Sequence, residues 1–168
     1  MADTSLEGEI ERRIEEMGLE MVELERAGDR RRPILRLSID RADSMPGQPG
    51  VSLDDCTAVS RALEPMLDAR EDLPDTYVLE VSSPGVERPL VRRRDWERFT
   101  GVAVAVRGKR LLAERAKRLE GTLLGLRPGA EGGDAALLRL EDGAEVEIPL
   151  AEIDRANLVY RWERKPRP

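Results

Sequence analysis

The sequence predicts an α+β chain in two parts, an N-terminal α/β (αββαβ) domain followed by a small SH3-like (Sm-like) β-barrel. Three patterns carry that expectation. Apolar residues recur at helical spacing in Leu6, Ile10, Ile14 and Met17, and again in Leu53, Cys56, Val59, Leu63 and Met66. Between these runs, Leu35, Leu37 and Ile39 alternate with Arg36, Ser38 and Asp40, the period of a half-buried strand. Beyond Gly101 the pattern changes to short strands punctuated by Gly and Pro.

The elements follow in order. Thr4 and Glu7 fit a capping box that opens the first helix, and Gly18 can stop it. Leu19–Arg26 reads as a strand, Gly28–Arg32 as a hairpin loop, and Leu35–Asp40 as the returning strand. The segment Ala42–Gly50 holds Pro46, Gly47, Pro49 and Gly50, a mobile loop. Ser52 caps the second helix, with Asp54 and Asp55 near its positive end. Pro65 should kink or shorten that helix, because it lacks an amide donor and crowds the preceding turn. Tyr77–Val81 is the third strand, ended by Ser82-Ser83-Pro84-Gly85. Two helices on a three-stranded sheet suffice to close a small core.

In the second part, a short helix around Asp95–Thr100 should dock through Trp96 and Phe99. Strands are expected at Val102–Val106, Leu119–Leu126, Ala136–Leu140, Glu145–Ile148 and Leu158–Trp162, with a hairpin turn at Asp142-Gly143. The boundary falls near Leu90–Arg94, giving domains 1–91 and 92–168.

Composition removes several mechanisms. With no histidine, neither a Ser-His or Cys-His relay nor a His-ligated metal is available. One cysteine, Cys56, excludes internal disulfides and thiolate clusters. No run approaches the roughly 18 apolar residues of a membrane helix, and the early acidic residues Asp3, Glu7 and Glu9 do not resemble a signal peptide. A cytoplasmic protein without cofactor or metal is expected. The net charge of −6 is uneven. Residues 1–91 carry 11 basic and 21 acidic groups, a charge of −10, whereas residues 92–168 carry +4. Within Arg88–Arg118, 11 basic residues face three acidic ones, a local +8.

Ser82 and Ser83 precede a Pro-Gly turn like an exposed nucleophile, but only Lys109, Lys117, Lys165 or a carboxylate could serve as base. A plain strand-ending turn is the better reading, and Glu80 with Glu87 is better read as solvated charge than as an acid/base pair. Cys56 lies on an apolar helix face beside Asp54 and Asp55, which oppose thiolate formation, so it is expected in the core. Gly47-Gln48-Pro49-Gly50 matches the GXXG string of KH domains, yet it follows a strand, and its proline removes an amide a phosphate would need. The basic segment is the most informative. Arg88, Arg92, Arg93, Arg94, Arg98, Arg107, Lys109 and Arg110 could bind phosphates or an acidic surface. Few aromatics lie on strand faces, so base stacking is not the expected mode.

The stretch Tyr-Val-Leu-Glu-Val-Ser-Ser-Pro-Gly-Val-Glu-Arg-Pro-Leu, residues 77–90, closely resembles the signature of the ribosome maturation factor RimP family. Similar patterns occur in Val51–Asp68, in Glu120-Gly121-Thr122-Leu123-Leu124-Gly125, and in Glu145-Val146-Glu147-Ile148-Pro149-Leu150. The resemblance implies an α/β domain joined to an SH3-like barrel, and a non-enzymatic cytoplasmic factor for 30S subunit maturation. It implies partners: the immature 30S subunit, ribosomal protein S12 and neighbouring 16S rRNA, bound by a monomer. By position, the family's interdomain motif falls on Ser82, Ser83, Pro84, Gly85, Arg88, Pro89 and Leu90. The candidate rRNA or protein contacts are Arg92, Arg93, Arg94, Arg107, Lys109 and Arg110. A second reading is an Sm-like RNA-binding chaperone acting on other RNAs, which would form a ring. A third is a hydrolase using Ser82 or Ser83 with Lys109.

Overall fold

A computed structural model describes residues 5–161. The chain divides into two compact units, Met1–Pro84 and Gly85–Pro168.

The first unit is α+β. Helix α1 (Leu6–Glu16) begins at Ser5, whose Oγ accepts the amide of Gly8 at 3.2 Å. The expected cap, Thr4, lies outside the described residues. Ser5 is the cap because it holds the last extended backbone before Leu6. Strands β1 (Leu19–Gly28) and β2 (Pro33–Arg41) form an antiparallel hairpin. In its loop, Asp29 Oδ1 accepts the amides of Arg31 and Arg32 at 2.8 and 3.0 Å, so a carboxylate stands in for a backbone acceptor. Helix α2 (Leu53–Asp68) then crosses to β3 (Val78–Ser82), which pairs in parallel with β2, giving the order β1-β2-β3. Leu6, Ile10 and Ile14 of α1 and Cys56, Val59, Leu63 and Leu67 of α2 share one core with Leu35, Leu37 and Ile39 of β2. The helical and alternating patterns thus close on each other.

Pro65 does not shorten α2, which runs on to Asp68. The proline is exposed, as is Arg61, whose carbonyl would have accepted the missing amide. Water can satisfy that carbonyl, so the break stays local.

The second unit holds a short helix α3 (Arg93–Arg98) and five strands, β4 (Ala103–Leu112), β5 (Ala116–Pro128), β6 (Asp134–Leu140), β7 (Glu145–Pro149) and β8 (Ile153–Leu158). Their order in one sheet is β7-β6-β5-β4-β8, and every pairing is antiparallel. The last strand was expected at Leu158–Trp162 but ends at Leu158. A 3-10 turn at Leu150–Glu152 lets β8 start earlier, where it pairs along β4 with Ala156 and Leu158 facing the core. Trp162 lies outside the described residues. Trp96 and Phe99 pack into this second core with Val104, Val106, Leu123 and Ile148. Gly121 permits the close β5–β6 approach, since a Cβ there would stand 2.5 Å from the Arg139 carbonyl oxygen.

The division at Pro84/Gly85 precedes the expected boundary at residue 91. Gly85–Val91 belongs with the second unit because its backbone bonds to β8. The amide of Leu90 donates to Ala156 O at 2.9 Å, and that of Leu158 donates to Arg88 O at 2.8 Å.

Candidate functional site

The signature segment changes character along its length. Ser82 closes β3 in register with Ser38, and Ser82 and Ser83 are both exposed. Gly85 takes φ +75°, a left-handed turn that a side chain would resist, although nothing lies where its Cβ would be. Arg88, Pro89 and Leu90 are then all buried.

Arg88 is the pivot of that buried stretch. Its Nη1 donates to Asp95 Oδ1 at 2.9 Å, and the guanidinium stacks 5.0 Å from the Phe99 ring centre. The same nitrogen reaches the Pro89 carbonyl at 3.4 Å. Asp95 uses its other oxygen, Oδ2, to accept the amides of Val91 and Arg92 at 2.9 and 2.8 Å. Arg88 and Asp95 are only 3% and 1% exposed, so this arginine fastens the segment to α3 from within and is not on the surface. A buried pair with both members hydrogen-bonded tolerates desolvation that a lone buried charge would not.

The arginines after it differ in availability. Arg93 is exposed, but its Nε donates to Glu97 Oε1 at 2.9 Å and its Nη1 pairs with Asp134. Those carboxylates hold its pKa above the ordinary guanidinium value, Asp134 contributing most. Arg92 and Arg94 are half-buried, and Arg98 lies 5.6 Å from the Phe99 ring centre. Arg107, Lys109 and Arg110 are exposed on β4. Lys109 and Arg110 border an open hollow of about 430 Å³, lined also by Leu111, Leu112 and residues 151–154. The structure therefore brings Arg107, Lys109 and Arg110 together on one strand. It ties Arg93 into local ion pairs.

One basic residue escaped the sequence reading. Arg155 lies far from the basic run in the chain, yet β8 pairing sets it opposite Arg107. No local signal marked it, because the final strand expected at Leu158–Trp162 begins after it, whereas β8 runs Ile153–Leu158.

Cys56 is buried, and burial, followed by the charge of Asp55, pushes its thiol pKa up. A thiol so placed is a core side chain. Among the described residues, no three His, Cys, Asp or Glu side chains gather into a metal site, and no helix is long and apolar enough to cross a membrane.

The fold is that of a two-unit α+β protein whose second unit opens with an arginine-rich segment. Residues 9–87 match the family model for the RimP N-terminal domain. Over those residues, which fall almost wholly within the first unit, the chain is similar to the ribosome maturation factor RimP family.

Proposed function

We propose that this protein assists maturation of the 30S subunit by binding its immature form transiently, through ribosomal protein S12 and neighbouring 16S rRNA. The observation that carries the reading is the match to the RimP N-terminal domain over residues 9–87 beside a local +8 in Arg88–Arg118. An assembly factor must favour a productive arrangement and then leave. Moderate, salt-sensitive attraction does this, and no chemistry is required. The −10 of residues 1–91 limits residence on RNA and suits basic ribosomal proteins. The site on this reading comprises Arg92, Arg93, Arg94, Arg107, Lys109 and Arg110. The protein acts as a cytoplasmic monomer.

The same reading makes the five-stranded sheet an SH3-like barrel. Support comes from its edge strands, β7 and β8, which are consecutive in the chain and joined by a single 3-10 turn. Closing them would remove both exposed edges. The division into an N-terminal α/β domain and a C-terminal β domain follows.

Ribosome profiles of cells carrying the tagged full chain test the function. Sedimentation with free 30S subunits and their precursors, and absence from 70S, is the expected result. A tagged chain found only at the top of the gradient, or equally on 70S, overturns it. A stable hexamer in solution would favour the Sm-like chaperone acting on other RNAs.

A further inference from the structure

Three arginines from three neighbouring strands stand in one row across the sheet of the second unit. Arg107 on β4 is directly opposite Arg118 on β5 and directly opposite Arg155 on β8. Directly opposed residues of antiparallel strands project from the same face. That face is the outer one, because Val104 and Val106, the alternate residues of β4, are fully buried in the core. We infer that this Arg118–Arg107–Arg155 row is a binding site for the phosphate backbone of RNA.

Like charges set directly opposite one another destabilise a sheet. Three in a row therefore call for an anion to offset them. Each arginine has its own local interactions, but those of Arg107 with Asp154 at 3.4 Å and of Arg118 with Glu120 are largely exposed to water, where an ion pair is weak enough to be exchanged for a phosphate. Next to the row the face is built for close approach. Ala105, between Glu120 and Asn157, is small and already covered by its neighbours, and a hollow of about 150 Å³ opens over Ala105 and Val106 among Arg107, Arg118, Arg155 and Asn157.

The neighbouring positions on this face are Ala103, Ala105, Thr122, Glu120 and Asn157. None is a large apolar or aromatic side chain, so the face lacks the anchor a protein partner would bury and the ring on which an unpaired base would stack. What it offers is planar guanidinium groups at strand spacing, about 5 Å apart at the backbone. A chain of phosphates matches that offer, and recognition would follow backbone shape and not base identity.

The inference rests on the ribosomal reading for its biological partner, but the binding is testable alone. Full-length protein is titrated with a fluorescent RNA duplex of arbitrary sequence between about 50 and 200 mM salt, a range over which phosphate contacts lose affinity steeply. The variant R107Q/R118Q/R155Q is compared with R115Q/K117Q/R127Q, which removes the same charge from exposed positions outside the row. The row variant should bind at least about tenfold more weakly at the lowest salt, with its log–log salt slope shallower by about 2 to 3, one per lost contact. The control variant should lose much less. The row variant should also melt no lower than the parent, because it sheds like-charge repulsion. Equal losses in both variants, an unchanged slope, or row-dependent binding of polyglutamate in preference to RNA each overturn the inference. Should the parent bind RNA through the row yet never sediment with 30S precursors, the ribosomal reading fails while the row stands.

Discussion

Arg88 shows how differently one arginine can act from its neighbours. In sequence it opens the basic run, six residues before Arg94. In space it is sealed between Asp95 and Phe99, with both Asp95 oxygens engaged. Replacing it leaves a buried carboxylate without its partner, which costs about 3–5 kcal/mol. R88M should therefore lower stability by that amount in denaturant titration, and amide exchange should place the loss in Gly85–Leu158. The double variant R88M/D95L should recover much of it, because an apolar pair leaves no orphan charge. Independent, additive losses would show that the pair is not coupled. The sequence marks Arg88 as special only through its signature. That it is buried could not be read, because its partner Asp95 lies within a helix placed by Trp96 and Phe99.

At the scale of elements, the second helix is the clearest case of local chemistry choosing a structure. Ser52 Oγ accepts the amide of Asp55 at 3.1 Å, and Asp55 Oδ2 accepts that of Ser52 at 2.7 Å, a complete capping box. These bonds, the backbone one foremost, hold the Asp55 carboxyl below the usual aspartate range, and Arg41 adds attraction. A depressed folded pKa gives stability that is present above the unfolded value near 3.8 and lost as pH falls through the folded value. Amide protection in the first turn of α2, taken relative to the intrinsic exchange rate at each pH, should accordingly fall below about pH 4, and D55A should show that lower protection already at pH 6 with little further change in acid. An unchanged acid response in D55A would remove Asp55 from the cap. The cap, the helix and the alternation of β2 were all legible because each depends on neighbours within a few residues. The last strand was misplaced because its start depends on the turn at Leu150–Glu152 and on pairing with β4, some 50 residues away. No periodicity encodes that register.

For the whole molecule, charge is the property that matters, and its distribution carries the meaning. A total of −6 argues against RNA, whereas an acidic −10 over residues 1–91 and a +8 segment over Arg88–Arg118 argue for a protein that approaches an anionic particle by one region. Reversing Arg92, Arg93 and Arg94 to glutamate should weaken association with 30S precursors and flatten its dependence on salt, read by sedimentation at several ionic strengths. An unaltered slope would exclude phosphate contact by these three.

Taken by itself, the sequence determined the α+β class, the two-part order, the family signature and most core residues of the first unit, although Met17 and Leu53, expected on the apolar helix faces, are exposed at the helix ends. Each of these is written in short-range periodicity, capping chemistry or a contiguous string. Only the tertiary structure decided that Gly85–Val91 joins the second unit, that Arg88 is a buried fastener, and that Arg155 faces Arg107. The reason is common to all three. Each depends on which distant backbone a segment hydrogen-bonds to, and strand register converts positions remote in the chain into neighbours on one face.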